Sequence, residues 1–493
     1  MAAGSAKSRA VGDQLEALAR AEFTDLQPSE VALIRAATTT DRAECGPTKD
    51  EQDVFNNPAF AEDGNPGKGV APWSPDREVR AEVIRWLCIN RDAKAHVDPR
   101  GVQLFGARVT GELDLRHAEV PFPLSLVQCR LLDKVFLNGC TIPRLDFHGS
   151  WTGPIDADGV HVKQSAYLRG VHAKGIVSLN LAQIGDSLTC EGGTFIGEKG
   201  AAVWADGIKV GGDLFLRADS DTSAAFSAKG GVRLVGAEIH GDLDCSGGQF
   251  LNAPNEAITL QRATIHGEIF FGDGFKVEGI VDLSNTSTTA MADDQVCWPK
   301  QGDFRLDGFS YTSLDPNDAK TRLCWLALDS SDATQPYRQL AKVLQDSGDA
   351  KNANRVLIAM EKKLSSKDRL RWLKAMVGYG YRPGNAIWML AALWILGSLL
   401  CWQSYETGMI VPTDKQAYVE FQYLRDSPAY YQQFEPFVFS LENTFPLVKL
   451  GQVDKWQAAS QSAVRWFIWT QILLGWLLAT LFVAAVSGIV RHD

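Results

Sequence analysis

The chain has no surplus of positive charge. Lys and Arg number 49 against 59 Asp and Glu, a net charge of −10, which excludes a general nucleic-acid binder, whose footprint on phosphates is basic. Close cysteine pairs are missing too. The nine cysteines include no Cys-x-x-Cys, so neither a zinc site nor a disulfide framework is expected. There is no Gly-x-Gly-x-x-Gly turn between strand and helix, as a nicotinamide or flavin enzyme requires, and no Ser/His/Asp set or metal motif of specific spacing. No cofactor is therefore expected. Residues 1–13 are small and polar, so no secretory leader is expected there.

What the chain does have is a repeat. Val232, Leu234, Ala237, Ile239, Leu243 and Cys245 set a template of small or apolar residues at offsets 0, 2, 5, 7, 11 and 13, often with glycine at offset 9. It recurs from Ile258, Val203, Val177, Ile155, Leu124 and Val102, and more loosely from Val281 and Phe304. These are about eight passes spaced by roughly 22 to 31 residues, the range of stacked solenoid units. The apolar residues alternate with period two, which belongs to strands. The fold class expected is mainly β: a parallel β-solenoid with helical caps, followed by a helical hairpin and two transmembrane helices. Cys190 and Cys245 fall at an inward offset and read as reduced core residues.

Four regions follow. Residues 1–98 form a helical and irregular N-terminal cap, with Val79, Val83, Ile84 and Leu87 on one face of a helix over 76–87. Residues 99–312 are the solenoid. Residues 313–384 hold a helix entered at Asp315-Pro316, a hairpin of helices over 335–347 and 350–364 that caps the far end, and a basic helix over 366–376 placed to lie on anionic lipid. Residues 385–493 are a two-span membrane module. Its spans are residues 386–402 and 466–490, each apolar enough for a bilayer, with residues 404–464 between them. Lys362, Lys363, Lys367, Arg369, Arg371, Lys374 and Arg382 precede the first span. By the positive-inside rule the solenoid and the C-terminus are cytoplasmic.

Three places outside the repeat's inward positions could carry function. His240 and His266 stand at one outward offset in successive passes, near Asp242, Asp244 and Glu268. Imidazole and carboxylate suit a transition metal, and a solvated acidic face with paired histidines explains the same residues. Phe136, Tyr167, Phe215 and Phe270 share an outward offset, and such a column is expected to be covered by another segment or partner. The third is the short apolar segment around Phe439, with Ser440, Glu442, Asn443, Thr444, Lys449 and Gly451. It is too short to cross a bilayer. It reads either as an amphipathic segment on the outer leaflet or as a re-entrant pore helix, since span, short helix, loop and span is the order of two-helix channels.

The joint Gly378-Tyr379-Gly380-Tyr381-Arg382-Pro383 and the trio Phe439-Ser440-Leu441 resemble bacterial proteins in which a pentapeptide-like solenoid precedes a two-span ion-channel module. Phe445 to Gly451 departs from their filter by lacking the Thr and the paired glycines, so the resemblance does not imply potassium selectivity. Over nearly the whole chain, Asp76-Arg77-Glu78-Val79-Arg80-Ala81-Glu82-Val83, Gly106 to Leu115 and Tyr337-Arg338-Gln339-Leu340-Ala341-Lys342-Val343-Leu344 are similar to an uncharacterised bacterial family often labelled membrane-associated oxidoreductase. That label implies a redox enzyme, and the missing dinucleotide turn speaks against it. The expectation is an inner-membrane protein in contact with lipid that offers its solenoid to a protein partner, with homo-oligomerisation required if the membrane module conducts.

Overall fold

A computed structural model describes residues 2–46, 77–329, 331–364, 384–424, 427–445, 447–460 and 462–486. They form two compact units, Met1–Asp349 and Ala350–Asp493. The basic helix expected over 366–376 and the joint at 378–383 lie outside the described residues.

The first unit is a parallel β-solenoid of about nine turns. Each turn has four sides, and each side is a strand as short as two residues: Val135–Phe136, Thr141–Ile142, Leu145–Asp146 and Trp151–Thr152 make one circuit before Ile155–Asp156 begins the next. The inward residues come in pairs at i, i+2 and i+5, i+7, so Val135, Leu137, Cys140 and Ile142 are all buried. Every strand finds its hydrogen bonds in the turns above and below, all parallel. Leu113, Val135, Ile155, Val177, Val203, Val232, Ile258, Val281 and Phe304 align on one side. Val102, Leu124, Leu145, Ala166, Leu188, Leu214, Leu243, Ile269, Met291 and Leu314 align on another. In the core, Phe195, Phe226, Phe250 and Phe275 stack with ring centroids 5.4, 5.3 and 5.3 Å apart.

This register corrects the sequence alignment. Val102 and Leu124 are not equivalent to Ile155 and Val177; they lie half a turn away, and Leu113 and Val135 hold the equivalent places. The inward pattern repeats on every half turn, so alternation alone cannot tell one side from another. Glycine is needed where turns touch: a Cβ at Gly211 would stand 2.0 Å from the Gly185 carbonyl oxygen. Cys190 and Cys245 are buried free thiols, and burial pushes the Cys190 thiol up to about 12.

Both ends are closed. At the first turn, Glu78–Arg80 is a strand beside Arg108–Thr110, and the helix begins only at Ala81. The expected helix over 76–87 is therefore shortened, because the open edge captures Glu78–Arg80 by backbone pairing. Val79, Val83, Ile84 and Leu87 are buried as the pattern required. The buried Glu30 carboxylate fixes the corner, accepting from Gln27 N, Arg80 N and Arg80 Nε at 2.8–2.9 Å.

At the last turn, Asp315 ends a strand and Asp318 is the helix cap, accepting from Lys320 N and Thr321 N. Helix Ala319–Leu326 lays Trp325 on Phe304, Phe309 and Tyr311. Its Arg322 forms an ion pair of 2.7 Å with Asp293, both side chains buried. From helix Gln335–Asp346, Gln335 and Gln339 donate to the Phe309 and Tyr311 carbonyls at 3.0 and 2.6 Å, which satisfies an edge that would otherwise recruit another strand.

In the second unit, helix Ala350–Leu364 buries Ala353, Val356 and Met360. Among the described residues one helix, Ala386–Glu406, is long and apolar enough to cross a membrane, and the apolar stretch Val464–Thr480 is shorter. The second expected span, over 466–490, ends in residues outside the described ones. Between these helices, strands Ile410–Pro412 and Trp456–Ala458 pair antiparallel. Phe421, Phe434, Phe439 and Trp456 pack there into an apolar cluster.

Candidate functional site

The histidines meet as expected, but with a different acid. His240 and His266 follow paired strand residues Ile239 and Ile265, and their rings are 5.0 Å apart at 31°. Glu238, two residues before His240 and on the same side of its strand, completes the group. Ligand atoms of Glu238, His240 and His266 lie within 4.8 Å of one another. Lys209 Nζ holds Glu238 at 2.8 Å, and that hydrogen bond keeps the Glu238 carboxyl below its usual range.

Asp242 and Asp244 are used elsewhere. The Asp242 carboxylate accepts from Glu268 N at 2.8 Å in the next turn, and Asp244 accepts from Arg217 Nη1 at 2.9 Å. The chain turns a corner at Gly241, where a Cβ would stand 2.8 Å from the backbone of Gly212. Residues on either side of that corner belong to different sides of the solenoid. The sequence offset placed five residues together; the corner separates Asp242, Asp244 and Glu268 from the two histidines.

The aromatic column divides as well. Phe136 lies on one side, next to Asp156, while Tyr167, Phe215 and Phe270 lie on another with Thr189 and Asp244 between them. Three of them are covered from within the turn stack. Arg116 and Lys134 lie over Phe136, Arg144 over Tyr167 and Arg217 over Phe215, at 4.4–4.7 Å from the ring centres. Arg217 is itself held by Glu191 at 2.7 Å, so these contacts join turn to turn.

A feature the sequence reading passed over lies on the Phe136 side. Trp204 is 38% exposed and Leu181 69% exposed. With Asn180, Asp206, Gly207 and Arg233 they line a groove of about 450 Å³. Leu181 sits at a solenoid corner with φ of 56°, a left-handed position filled by Gly139, Gly159, Gly207 and Gly236 in some turns and by His117, Arg262 and Asn285 in others. A leucine in that region is strained by about 1 kcal/mol relative to glycine, and here it also exposes most of its apolar surface. The available signal was an apolar residue standing where other turns place glycine or a polar residue.

No family model matches this chain, and no curated protein or solved structure does. What the sites can do is therefore argued from their own geometry.

In the second unit, helix Pro436–Thr444 buries Ser440, Glu442, Asn443 and Thr444. It is not an amphipathic helix with a polar outer face. Ser440 Oγ donates to the Trp394 carbonyl at 2.9 Å, and Gln471 Nε2 donates to Ser440 Oγ and Thr444 Oγ1, both at 2.8 Å. Gly397 and Gly475 permit this approach, because a Cβ on either would stand 2.4 Å from Ser440 Oγ or 2.2 Å from the Thr444 carbonyl oxygen. The Glu442 carboxylate accepts from the backbone N–H groups of Leu450, Gly451 and Val453. Asn443 Nδ2 donates to the Phe439 carbonyl, and Lys449 is exposed.

Proposed function

We propose that this chain is a membrane-tethered scaffold whose solenoid docks a partner protein on the side carrying Leu181, Trp204 and Arg233. The observation that supports it is Leu181, an exposed apolar side chain kept in a backbone conformation that costs stability. Leu181 is the apolar residue in a corner column that otherwise holds glycine, histidine, arginine and asparagine, and a tryptophan and an arginine beside it are the residue types that dominate protein interfaces. The solenoid supplies rigidity, since each side is clamped to its neighbours by backbone pairing and by Arg–carboxylate contacts.

The tether is the apolar part of the second unit, with lipid as its surroundings. Two crossings, a bacterial inner membrane and a cytoplasmic solenoid and C-terminus follow from the basic residues before the first span and from the family resemblance. A photoactivatable residue at position 204 in cells tests the docking reading. One discrete adduct that disappears with Leu181→Ser is expected, whereas no adduct, or one indifferent to Leu181, defeats it.

A specific observation also favours a channel-like oligomer. The short helix Pro436–Thr444 packs on both long helices, and the loop after it, Leu447 to Leu450, is exposed, which is the arrangement a re-entrant segment needs to meet copies of itself. Two spans cannot enclose a pore alone, so this reading requires a tetramer or pentamer in detergent and conductance in planar bilayers. A silent bilayer with a monomeric particle removes it.

A further inference from the structure

We propose that Glu238, His240 and His266 bind one divalent transition-metal ion of the zinc class, which clips two successive solenoid turns together. Three observations carry it. The donors are the borderline nitrogen and oxygen ligands that such ions take, two imidazoles and a carboxylate. They come from adjacent turns whose backbones are locked in register, Glu238 opposite Thr264 and Ile239 opposite Ile265. Their ligand atoms lie within 4.8 Å of one another before any side chain moves.

Both histidines are exposed, so small rotations about χ1 and χ2 can bring the three ligand atoms to the roughly 3.3 Å mutual spacing that tetrahedral zinc, with ligand distances of roughly 2.0–2.2 Å, requires. Three protein ligands leave the remaining coordination position to water.

Lys209 is the built-in competitor. Its ammonium group, 2.8 Å from Glu238 and 63% exposed, occupies the carboxylate that the metal needs. A metal must displace it, which a surface ion pair allows at small cost. That gives the site a signature that an unstructured histidine pair lacks: removing a cation from its edge strengthens binding.

The test is isothermal titration of the full chain in detergent with ZnCl₂, repeated with CoCl₂ while the visible absorption of cobalt is followed. One ion per chain is expected. His240→Gln or His266→Gln should weaken binding by tenfold or more, and Glu238→Gln by less. Lys209→Gln should strengthen it by up to about fivefold, the scale of one surface ion pair. His161→Gln removes an exposed histidine from the same side of the solenoid and should change nothing. Zinc should also raise the melting temperature of the wild-type chain and not of the His240→Gln/His266→Gln chain, because an ion that binds only the folded state stabilises it. Absence of heat and of a cobalt spectrum overturns the proposal. So does binding that survives the double histidine substitution, or that is lost equally with His161→Gln. Circular dichroism of each variant without metal separates loss of the site from loss of the fold.

Discussion

Replacing Arg322 by methionine should destabilise the far end of the solenoid, and the loss should depend on pH. In the native chain Asp293 accepts from Trp298 Nε1 at 2.9 Å and forms an ion pair of 2.7 Å with Arg322 Nη2, and its side chain is 1% exposed. Burial pushes its carboxyl above the ordinary 3.8, and the guanidinium opposes that shift. With Arg322→Met the opposition is gone, and folded Asp293 must take up a proton that the unfolded chain does not hold at neutral pH. Each pH unit above the ordinary value costs about 1.4 kcal/mol. The loss at pH 7 should fall in the range of a broken buried pair, roughly 3–5 kcal/mol. The sign follows from linkage. A carboxyl whose folded pKa is raised binds more protons folded than unfolded, so its contribution to stability falls as pH rises above 3.8. At pH 5, nearer the ordinary carboxyl value, the loss should be smaller. Arg322→Met with Asp293→Asn removes the charge and should recover most of the loss with little pH dependence. Hydrogen exchange of helix Ala319–Leu326 in the full chain at the two pH values measures all three. A loss below about 1 kcal/mol, or one that does not change with pH, would refute the argument.

Three further outcomes are expected. Leu243→Asp or Ile265→Asp, at positions 0% and 1% exposed, should unfold the adjoining turns, because an unpaired charge would be buried; a wild-type circular-dichroism melt would show that these residues do not face inward. Leu181→Gly should raise stability by about 1 kcal/mol in thermal unfolding, since the corner is left-handed, while abolishing the adduct formed from position 204. Gln471→Leu leaves Ser440 Oγ and Thr444 Oγ1 without their donor at the junction of three helices. It should lower the melting temperature of the second unit in detergent by the equivalent of about 1–3 kcal/mol, and an unchanged melt would mean that the Gln471 contacts contribute nothing.

The repeat, its strand character and the caps were legible because burial is periodic and periodicity survives in a single sequence. The phase of the turns was not. Two sides of each turn bury the same pattern of pairs, so Val102 and Val135 look alike until backbone pairing sorts them. Phe136 was grouped with Tyr167 for that reason. Glu238 was missed and Asp242 wrongly included because a corner at Gly241 ends the alternation. Asp315-Pro316 reads as the helix entry, yet Asp318 is the cap, because Asp315 is taken up by the edge strand. The contacts among Ser440, Thr444 and Gln471 join residues about thirty positions apart, a separation that no local pattern spans.

The stacked sides also set a length scale. Paired strands are roughly 4.8 Å apart, so side chains at equivalent places in successive turns repeat at that pitch, and about nine turns make a rod roughly 40 Å long. Trp204 and Arg233, one step apart, are then separated like residues i and i+3 of an α-helix, whose rise is about 4.5 Å over three residues. Residues three apart in a helix also rotate by about 60° relative to one another, so a helix laid along the rod matches one or two such steps before its contacting face turns away, whereas an extended strand, advancing about 6.8 Å for every side chain on one face, falls out of step at once. For a partner docked as proposed, this spacing favours a short helical contact over an extended one.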